Sequence, residues 1–249
     1  LGLNLPGLQE ELLETVTAVG KPVVLVISAG SALDLSWADA HVAAIIDSFY
    51  PGARGGKAVA EAIFGDFSPS GKLPVTFYQG TENLPEFTDY DMSDRTYRYT
   101  DKNVLYPFGY GLHYGTIRYE NAQISCAQCS VRDAVDVSVD VINESSYTIH
   151  ESVQAYIQHE EADAYEPGYQ LKGIQTVTLQ PKETKRVTIS LKARDFAIIT
   201  QEGECVVRPG SYRIAIGGQQ PDARSAKLTG SDVATLVVRR EGAQTPVEY

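Results

Sequence analysis

The sequence predicts an α/β layer followed by an all-β sandwich, because the pattern of its apolar residues changes once along the 249 residues. Up to about residue 88, helical and strand patterns alternate, as in helices packed on a parallel sheet. From about residue 114, apolar and polar residues alternate with the period of half-buried strands. Residues 89–113, between the two patterns, are rich in tyrosine, arginine and glycine. We therefore predict four segments, namely a partial α/β/α sandwich (1–88), a connecting loop (89–113), a β-sandwich (114–239) and a poorly ordered tail (240–249).

The α/β segment begins with a helix whose apolar residues recur at helical spacing and which ends near Gly20. These apolar residues are Leu8, Leu12, Val16 and Val19. The continuous apolar run 23–27 predicts a strand buried on both faces of a parallel sheet. The elements predicted next are a short helix from Ser36, a strand at 43–49, a helix ending near Gly65 and an edge strand at 72–77. Three strands leave one sheet edge open, so we expect the sheet to continue in upstream sequence or in a partner chain.

The sandwich prediction depends on strict alternation of apolar and polar residues, which is clearest at 135–141. Further strands are predicted at 153–157, 171–179, 187–191, 204–207, 212–216 and 233–239, with proline and glycine turn signals between them. About seven short strands at this spacing indicate an immunoglobulin-like sandwich. Since no Cys…Trp…Cys pattern is present, we predict the fibronectin type III-like variety. His150 and His159 are expected at its surface.

Composition limits the partners. The net charge of −11 argues against a nucleic acid, whose binding needs clustered lysine and arginine. No apolar run approaches the roughly 20 residues that cross a bilayer, so no membrane partner is expected. Cys126 and Cys129 have CxxC spacing, but no second pair or histidine cluster completes a zinc site. Two ordinary strand thiols are favoured, and we expect no metal and no cofactor.

The glycine-rich turn 52–56 follows a strand and precedes a helix, so it belongs at the edge where open α/β sheets bind ligands. It matches neither G-x-G-x-x-G nor the P-loop pattern, which argues against a nucleotide site. A structural turn is favoured over a loop facing a pocket. Arg54 could bind an anion or carboxylate through two parallel hydrogen bonds, although a solvent-facing or structurally paired arginine is the simpler alternative.

Several long runs occur in a characteristic order: LPGLQEEL from Leu5, YPGARGG from Tyr50, FGDFSPSGKLPVT from Phe64 and YPFGYGLHY from Tyr106. ESVQ from Glu151, LKG from Leu171 and PGSY from Pro209 follow. Together these runs resemble the carboxy-terminal part of glycoside hydrolase family 3 over nearly the whole chain. His113 stands where the family usually has serine.

The resemblance implies an enzyme with a barrel domain, an α/β sandwich and a fibronectin-like domain. It cleaves terminal non-reducing β-linked sugars with retention, through a nucleophile and an acid/base carboxylate. The family's nucleophile lies in the barrel and its acid/base glutamate shortly before the Leu5 run, so this chain carries neither and is expected to be inactive alone. The implied partners are a small oligosaccharide or an aryl or alkyl glycoside, together with the barrel and the upstream half of the sheet, in the parent chain or in trans.

Five residues are candidates for the rim of the substrate pocket, namely Asp34, Trp37, Arg54, Asp91 and Arg95. The resemblance places the first two in a loop that follows a strand, although Trp37 as a core anchor is an equal alternative. The connecting loop is rich in carboxylates, and its simplest interpretation is a solvated acidic loop. Residues 84–99 resemble the β-xylosidase branch more than the β-glucosidase branch.

Two alternatives stay open. The chain could be a non-catalytic carbohydrate-binding or protein-binding module built on the same folds, although it has a single tryptophan to offer as a sugar platform. It could also pair with a second copy through the open sheet edge.

Overall fold

The computed structural model describes residues 2–82, 84–100 and 104–248. It divides into two compact units: Leu1–Phe67 with Leu73–Phe108 form the first, and Ser68–Lys72 with Gly109–Tyr249 form the second. The first unit contains a parallel strand pair with helices, and the second is a β-sandwich, which confirms the predicted fold class. Residues 101–103 of the predicted connecting loop lie outside the described residues, and the four-segment division stays a prediction.

The helices of the first unit are α1 (Gln9–Thr17), α2 (Ser36–His41), α3 (Gly55–Phe64) and α4 (Thr96–Tyr99). Its strands are β1 (Val24–Ile27), β2 (Ala44–Asp47), β3 (Phe77–Tyr78) and β4 (Val104–Tyr106). β1 and β2 run parallel, with Ile27 opposite Asp47. A small core forms beside them, and its buried members are Leu13, Ile27, Leu35, Ala38, Phe77 and Leu105.

The apolar side of α1 and β1 is exposed. Leu8, Leu12 and Val19 are 76%, 64% and 70% exposed, although the helix itself forms as predicted. The prediction that the β1 run is buried on both faces is wrong for Val24 and Val26, which are 38% and 40% exposed. β1 pairs only with β2 among the described strands, so one side of this layer has no cover within the described residues.

The predicted edge strand at 72–77 is also wrong. Only Phe77 and Tyr78 form a strand, and they pair antiparallel with β4 in a separate two-stranded sheet. Pro74 has no N–H to donate to a ladder, and Lys72 belongs to the second unit. Among the described residues the parallel sheet therefore has two strands and not three.

The sandwich of the second unit pairs a three-stranded sheet, in the order β10-β7-β5, with a five-stranded sheet, in the order β6-β14-β13-β8-β9. The first sheet comprises β5 (Ile117–Ile124), β7 (Val135–Asn143) and β10 (Thr184–Leu191). The second comprises β6 (Gln128–Ser130), β8 (Ile149–His159), β9 (Gln170–Leu179), β13 (Gly210–Gly217) and β14 (Ala234–Glu241). Their inner faces form one continuous core, because alternate residues such as Val137, Val139 and Ile214 are fully buried.

Tyr212 lies at the start of β13, and its hydroxyl donates to the Arg208 carbonyl at 2.8 Å. This is the tyrosine corner found in many immunoglobulin-like sandwiches. A third small sheet consists of β11 (Ile198–Ile199), β12 (Cys205–Val207) and β15 (Thr245–Pro246).

Two expectations for this unit are corrected, and one helix was not predicted. The tail is not irregular throughout, because β14 extends to Glu241 and β15 pairs with β12. His159 is 7% exposed, since its ring stacks on Tyr212 and hydrogen-bonds Glu166. α5 (Ala223–Thr229) was not predicted, although Asp222 is a typical N-cap that accepts from two backbone N–H groups. Within the described residues, no helix is long and apolar enough to cross a membrane.

Candidate functional site

The carboxyl ends of β1 and β2 form the edge of the parallel sheet where ligands bind in open α/β folds. The hydroxyls of Ser28 and Ser48, which directly follow these strands, are 2.8 Å apart. The next residues pack closely as well, because a Cβ atom at Gly30 would clash with the Tyr50 hydroxyl. The segments that lead to Asp34, Trp37 and Arg54 therefore begin at one edge, although Trp37 lies within α2 and not in the loop expected from the sequence, and Arg54 lies within a 3₁₀ turn.

Asp34 and Trp37 both have structural contacts here. One Asp34 oxygen accepts from the Ser36 backbone N–H at 3.0 Å and from its hydroxyl at 2.5 Å, which holds the start of α2. Trp37 stacks on His41 with ring centres 4.3 Å apart and packs against the small core. The core-anchor interpretation of Trp37 accounts for these contacts, and a substrate contact by either side chain stays a prediction.

Arg54 ends a 3₁₀ turn, Gly52–Arg54, that leads directly into α3. Its side chain is exposed. The glycine-rich turn thus joins a strand to a helix, which is the structural role that the sequence favours. An exposed guanidinium at this edge can reach an anionic or hydroxylated ligand.

Asp47 was missed by sequence reasoning. It ends β2, and its Oδ1 accepts from the Phe49 N–H at 3.0 Å, while its Oδ2 is buried without a hydrogen-bond partner among the described residues. Burial raises the pKa of this carboxyl group. Phe49 adopts a φ of 47°, a conformation that is strained for a bulky residue and is concentrated at functional sites. The signal in the sequence was an acidic residue at the end of an apolar strand.

Arg95 organises the connecting loop. Its Nη2 donates to the carbonyls of Glu86 and Asp89 at 2.8 and 2.7 Å, and its Nε donates to the Asp91 carbonyl at 3.1 Å. The exposed Asp91 carboxylate accepts from the Ser93 N–H at 2.7 Å. Hydrogen bonds from Ser93 hold the pKa of Asp91 below its usual value. The structure therefore brings Asp91 and Arg95 together through bonds from the arginine to loop carbonyls, and a substrate contact by either side chain stays a prediction.

Aromatic residues tie this loop to the first unit. The Tyr78 hydroxyl accepts from the Thr96 N–H at 2.9 Å, and Tyr97 stacks on Phe108 with ring centres 4.1 Å apart. The Tyr106 hydroxyl donates to Asp39 at 2.6 Å. Rings that stack and form hydrogen bonds in this way restrict the conformations open to the loop.

The loop surrounds a solvent-open cavity of about 560 Å³. Its lining residues are Glu82, Leu84, Pro85, Asp89, Asp91, Ser93 and Asp94. Carboxylates and a serine hydroxyl can accept hydrogen bonds from sugar hydroxyls. Two rings nearby in sequence are largely exposed, since Phe87 is 81% and Tyr90 is 91% accessible. No cluster of three or more metal-binding side chains occurs in the part of the chain that the structure describes.

The second unit contains a buried ionic cluster around Glu151, whose side chain is 1% exposed. Lys72 Nζ lies 3.2 Å from one of its oxygens, and His113 Nε2 lies 3.3 Å from the other. Burial pushes the pKa of Glu151 upward, but the neighbouring His113 and Lys72 hold it below its ordinary value. Lys72 also donates to the Gly111 carbonyl at 3.2 Å.

Gly111 packs against the Gly71 carbonyl so closely that any Cβ atom would clash with it. The cluster thus joins three sequence runs that are far apart in the chain, SGK at 70–72, GYGLHY at 109–114 and ESVQ at 151–154. It explains why these runs occur together, and its role is to hold the second unit together.

Comparison with known proteins gives the family. Residues 1–114 match the model of the glycosyl hydrolase family 3 C-terminal domain, and residues 151–220 match that of a fibronectin type III-like domain. The chain carries the C-terminal region of a glycosyl hydrolase family 3 protein. This confirms the resemblance seen in the sequence runs.

Relatives in the family include a β-xylosidase of Formosa agariphila, 35% identical over 91% of this chain and 32% of the relative. A periplasmic β-glucosidase of Salmonella typhimurium is 32% identical over 86% of this chain and 30% of the relative. A solved β-glucosidase structure from Erythrobacter marinus superposes with a TM-score of 0.81 at 34% identity, over 96% of this chain and 31% of that one. The chain thus spans about a third of the length of these family 3 relatives.

Proposed function

We propose that this chain is the C-terminal portion of an exo-acting, retaining β-glycosidase that removes terminal non-reducing β-linked sugars. The observation that carries the proposal is the match of residues 1–114 to the family 3 C-terminal domain. Relatives that share it carry the names β-xylosidase and β-glucosidase. The substrate is a small oligosaccharide or an aryl or alkyl glycoside.

The proposal assigns the reacting carboxylates to residues outside this chain. The nucleophile belongs to the missing barrel, and the acid/base glutamate belongs to sequence upstream of Leu5. Within this chain, Asp34, Trp37, Arg54 and Asp47 would form one wall of the pocket, at the carboxyl ends of β1 and β2. Asp91 would approach the substrate from the loop that Arg95 shapes.

The exposed apolar side chains of the first unit are the argument for the upstream half of the sheet as a partner. Leu12 on α1, Leu8 and Val19 on either side of this helix, and Val24 and Val26 on β1 would be covered by the upstream half of the α/β domain, in the parent chain or in trans. Each fully buried large aliphatic side chain contributes about 1.5–3 kcal/mol, so covering this layer stabilises the first unit substantially. A second copy pairing through the open edge of β1 is the alternative occupant.

We favour β-xylosidase over β-glucosidase activity. The support is residues 84–99, which contain the loop that Arg95 shapes, and the Formosa agariphila relative, which is named a β-xylosidase. With the parent protein, p-nitrophenyl β-xyloside should be turned over faster than p-nitrophenyl β-glucoside. A faster reaction with the glucoside would contradict this substrate preference but would leave the family assignment unchanged.

The decisive experiment compares the 249-residue chain alone with the same chain extended by its upstream sequence. The chain alone should not hydrolyse either p-nitrophenyl glycoside, and the extended protein should do so. Turnover by the chain alone would show that it holds its own catalytic carboxylates and would overturn the proposal.

One observation favours a second candidate, a non-catalytic carbohydrate-binding module. Phe87 and Tyr90 are exposed rings in the same sequence segment that supplies the carboxylates of the cavity, and exposed rings bind sugars by stacking. Saturable binding of xylo-oligosaccharides by the chain alone, lost in a Phe87→Ala/Tyr90→Ala variant, would support this candidate.

A further inference from the structure

Both ring nitrogens of His113 face oxygen atoms that can only accept a hydrogen bond. Nδ1 lies 3.2 Å from the Gly115 carbonyl oxygen, and Nε2 lies 3.3 Å from a carboxylate oxygen of Glu151. A neutral imidazole carries one N–H, whereas the imidazolium form carries two. The neutral ring therefore donates to one of these oxygens and turns a lone pair toward the other, whereas the imidazolium form can donate to both.

The surrounding packing holds both acceptors in place. The carboxylate side chain is 1% exposed and belongs to β8. Gly115 adopts a φ of 98° and packs so closely against Ser145 that a Cβ atom would clash with it. The N–H of Tyr114, between His113 and Gly115, donates to the Ser68 hydroxyl at 2.8 Å. An acceptor that is left without a donor in so buried a place costs stability.

Two other titratable groups face the Glu151 carboxylate within the described residues. Lys72 Nζ lies 3.2 Å from the other carboxylate oxygen, and Tyr119 approaches the carboxylate from β5. Burial raises the pKa of the Tyr119 hydroxyl well above its ordinary value, so this group stays neutral. The Lys72 charge opposes a second cation, but it contacts the opposite oxygen. Histidine is the side chain that ordinarily changes charge between about pH 5 and 8, so His113 is the member of this cluster whose charge responds to pH in that range.

We propose that His113 is a pH-sensitive switch in the second unit, whose imidazolium form holds the segment before β5 onto Glu151 of β8. Loss of one proton leaves the ring with a single N–H and removes one of its two hydrogen bonds. The switch acts at the start of the long segment of this unit, Gly109–Tyr249. The proposal concerns this unit alone and is independent of the proposed glycosidase function.

The folded chain gives His113 two fixed acceptors, whereas the unfolded chain gives it water, so the folded state binds the second proton more tightly. The resulting stabilisation is complete below the ordinary histidine pKa of about 6.5. It is lost as the pH rises through the titration of the folded state. The stabilisation from Glu151 has the opposite sign, because it is lost as the pH falls below the ordinary value of 4.5. The two effects therefore occupy separate pH ranges.

Nuclear magnetic resonance of the 249-residue chain measures the protonation of His113 directly. Long-range proton–nitrogen spectra distinguish an imidazolium ring from either neutral tautomer, and the spectrum of His113→Gln identifies the signal. At about pH 7 an ordinary histidine is mostly neutral, but both ring nitrogens of His113 should still carry a hydrogen. The exposed His150, whose Nδ1 contacts the Thr178 hydroxyl at 2.8 Å, should be mostly neutral in the same sample.

Urea unfolding at several pH values measures the effect on stability. Between about pH 5.5 and 8.5, the unfolding equilibrium constant of the wild type should rise about tenfold more than that of His113→Gln. His150→Gln is the matched control and should keep the wild-type profile. Since His159 also contacts a carboxylate, the measured quantity is the difference between the wild type and His113→Gln.

Three outcomes would overturn the proposal. The first is a neutral His113 ring in the folded chain at neutral pH. The second is a pair of parallel pH profiles for the wild type and His113→Gln, and the third is a profile that flattens as much in His150→Gln as in His113→Gln. If His113→Gln folds poorly, backbone assignment of the wild type identifies the His113 signal instead, and the protonation measurement still decides.

Discussion

The two units bury their apolar residues differently. In the second unit, inward-facing side chains such as Val137, Val139 and Ile214 are fully buried, so the sandwich closes its core with its own strands. In the first unit, Leu8 and Leu12 are 76% and 64% exposed on a regular helix. The difference teaches that the sandwich covers its apolar residues with its own strands, whereas the α/β unit leaves apolar side chains of its helix and strand exposed within the described residues.

The largest effect is expected for Glu151→Ala. This change leaves the Lys72 charge without its partner in a mostly buried place, which costs about 4 kcal/mol of unfolding free energy. The matched change Asp91→Ala removes an exposed carboxylate and should leave the unfolding free energy nearly unchanged. Urea unfolding followed by circular dichroism measures both, and similar losses for the two variants would contradict the contrast.

The second-largest loss of stability is expected when a core side chain is truncated. Ile214→Ala leaves a cavity between the two sheets and should cost about 3 kcal/mol. Leu12→Ala removes an exposed side chain, so it should change the stability of the isolated chain by less than about 0.5 kcal/mol. In a protein extended by the upstream half-sheet, Leu12→Ala should become clearly destabilising. If Leu12→Ala lowers the unfolding free energy of the isolated chain as much as Ile214→Ala does, the Leu12 side chain is not solvent-exposed and the account is contradicted.

The tyrosine corner gives a smaller effect. Tyr212→Phe removes the hydrogen bond to the Arg208 carbonyl and should cost about 1 kcal/mol. The control Tyr90→Phe removes the hydroxyl of a residue that is 91% exposed, and should be neutral in the same denaturant titration. A neutral Tyr212→Phe would show that the corner contributes no net stability.

The smallest effect is the pH dependence from Glu151. Its pKa in the folded state lies below the ordinary value of 4.5, so the unfolded state binds the proton more readily than the folded state. The stabilisation is complete above pH 4.5 and is lost as the pH falls through the lower folded pKa. Glu151→Gln should flatten the fall in stability below pH 4.5, as measured by urea titrations at several pH values. An unchanged slope would contradict the assignment.

The sequence predicted the elements whose signal is local. Strict alternation at 135–141 specifies a strand because the side-chain period in a strand is two, and β7 forms there. The helix around Leu12 forms because its spacing and its acidic start agree. These patterns depend only on residues close in the sequence, so the elements could be predicted without knowing any tertiary contact.

The sequence did not predict features that depend on distant partners. His159 is buried because Glu166 and Tyr212 satisfy it, and a single histidine in a sequence carries no sign of that. Phe77 pairs with Tyr106 in an antiparallel ladder. The sequence between these two residues has no pattern that predicts this register. At the candidate site, Asp34 and Trp37 were predicted from a resemblance, whereas the unpartnered oxygen of Asp47 becomes visible only when the packing around it is known.

Native-state hydrogen exchange tests the central claim most directly, namely that the first unit leaves apolar residues uncovered whereas the sandwich covers its own core. In the isolated chain, amides of β1 and β2 should exchange through local opening at low free energy, while amides of β7 and β13 should exchange only through global unfolding. Extending the chain by its upstream sequence should slow exchange in β1 and β2 and leave β7 unchanged. Equal protection of β1 and β7 in the isolated chain would contradict the account.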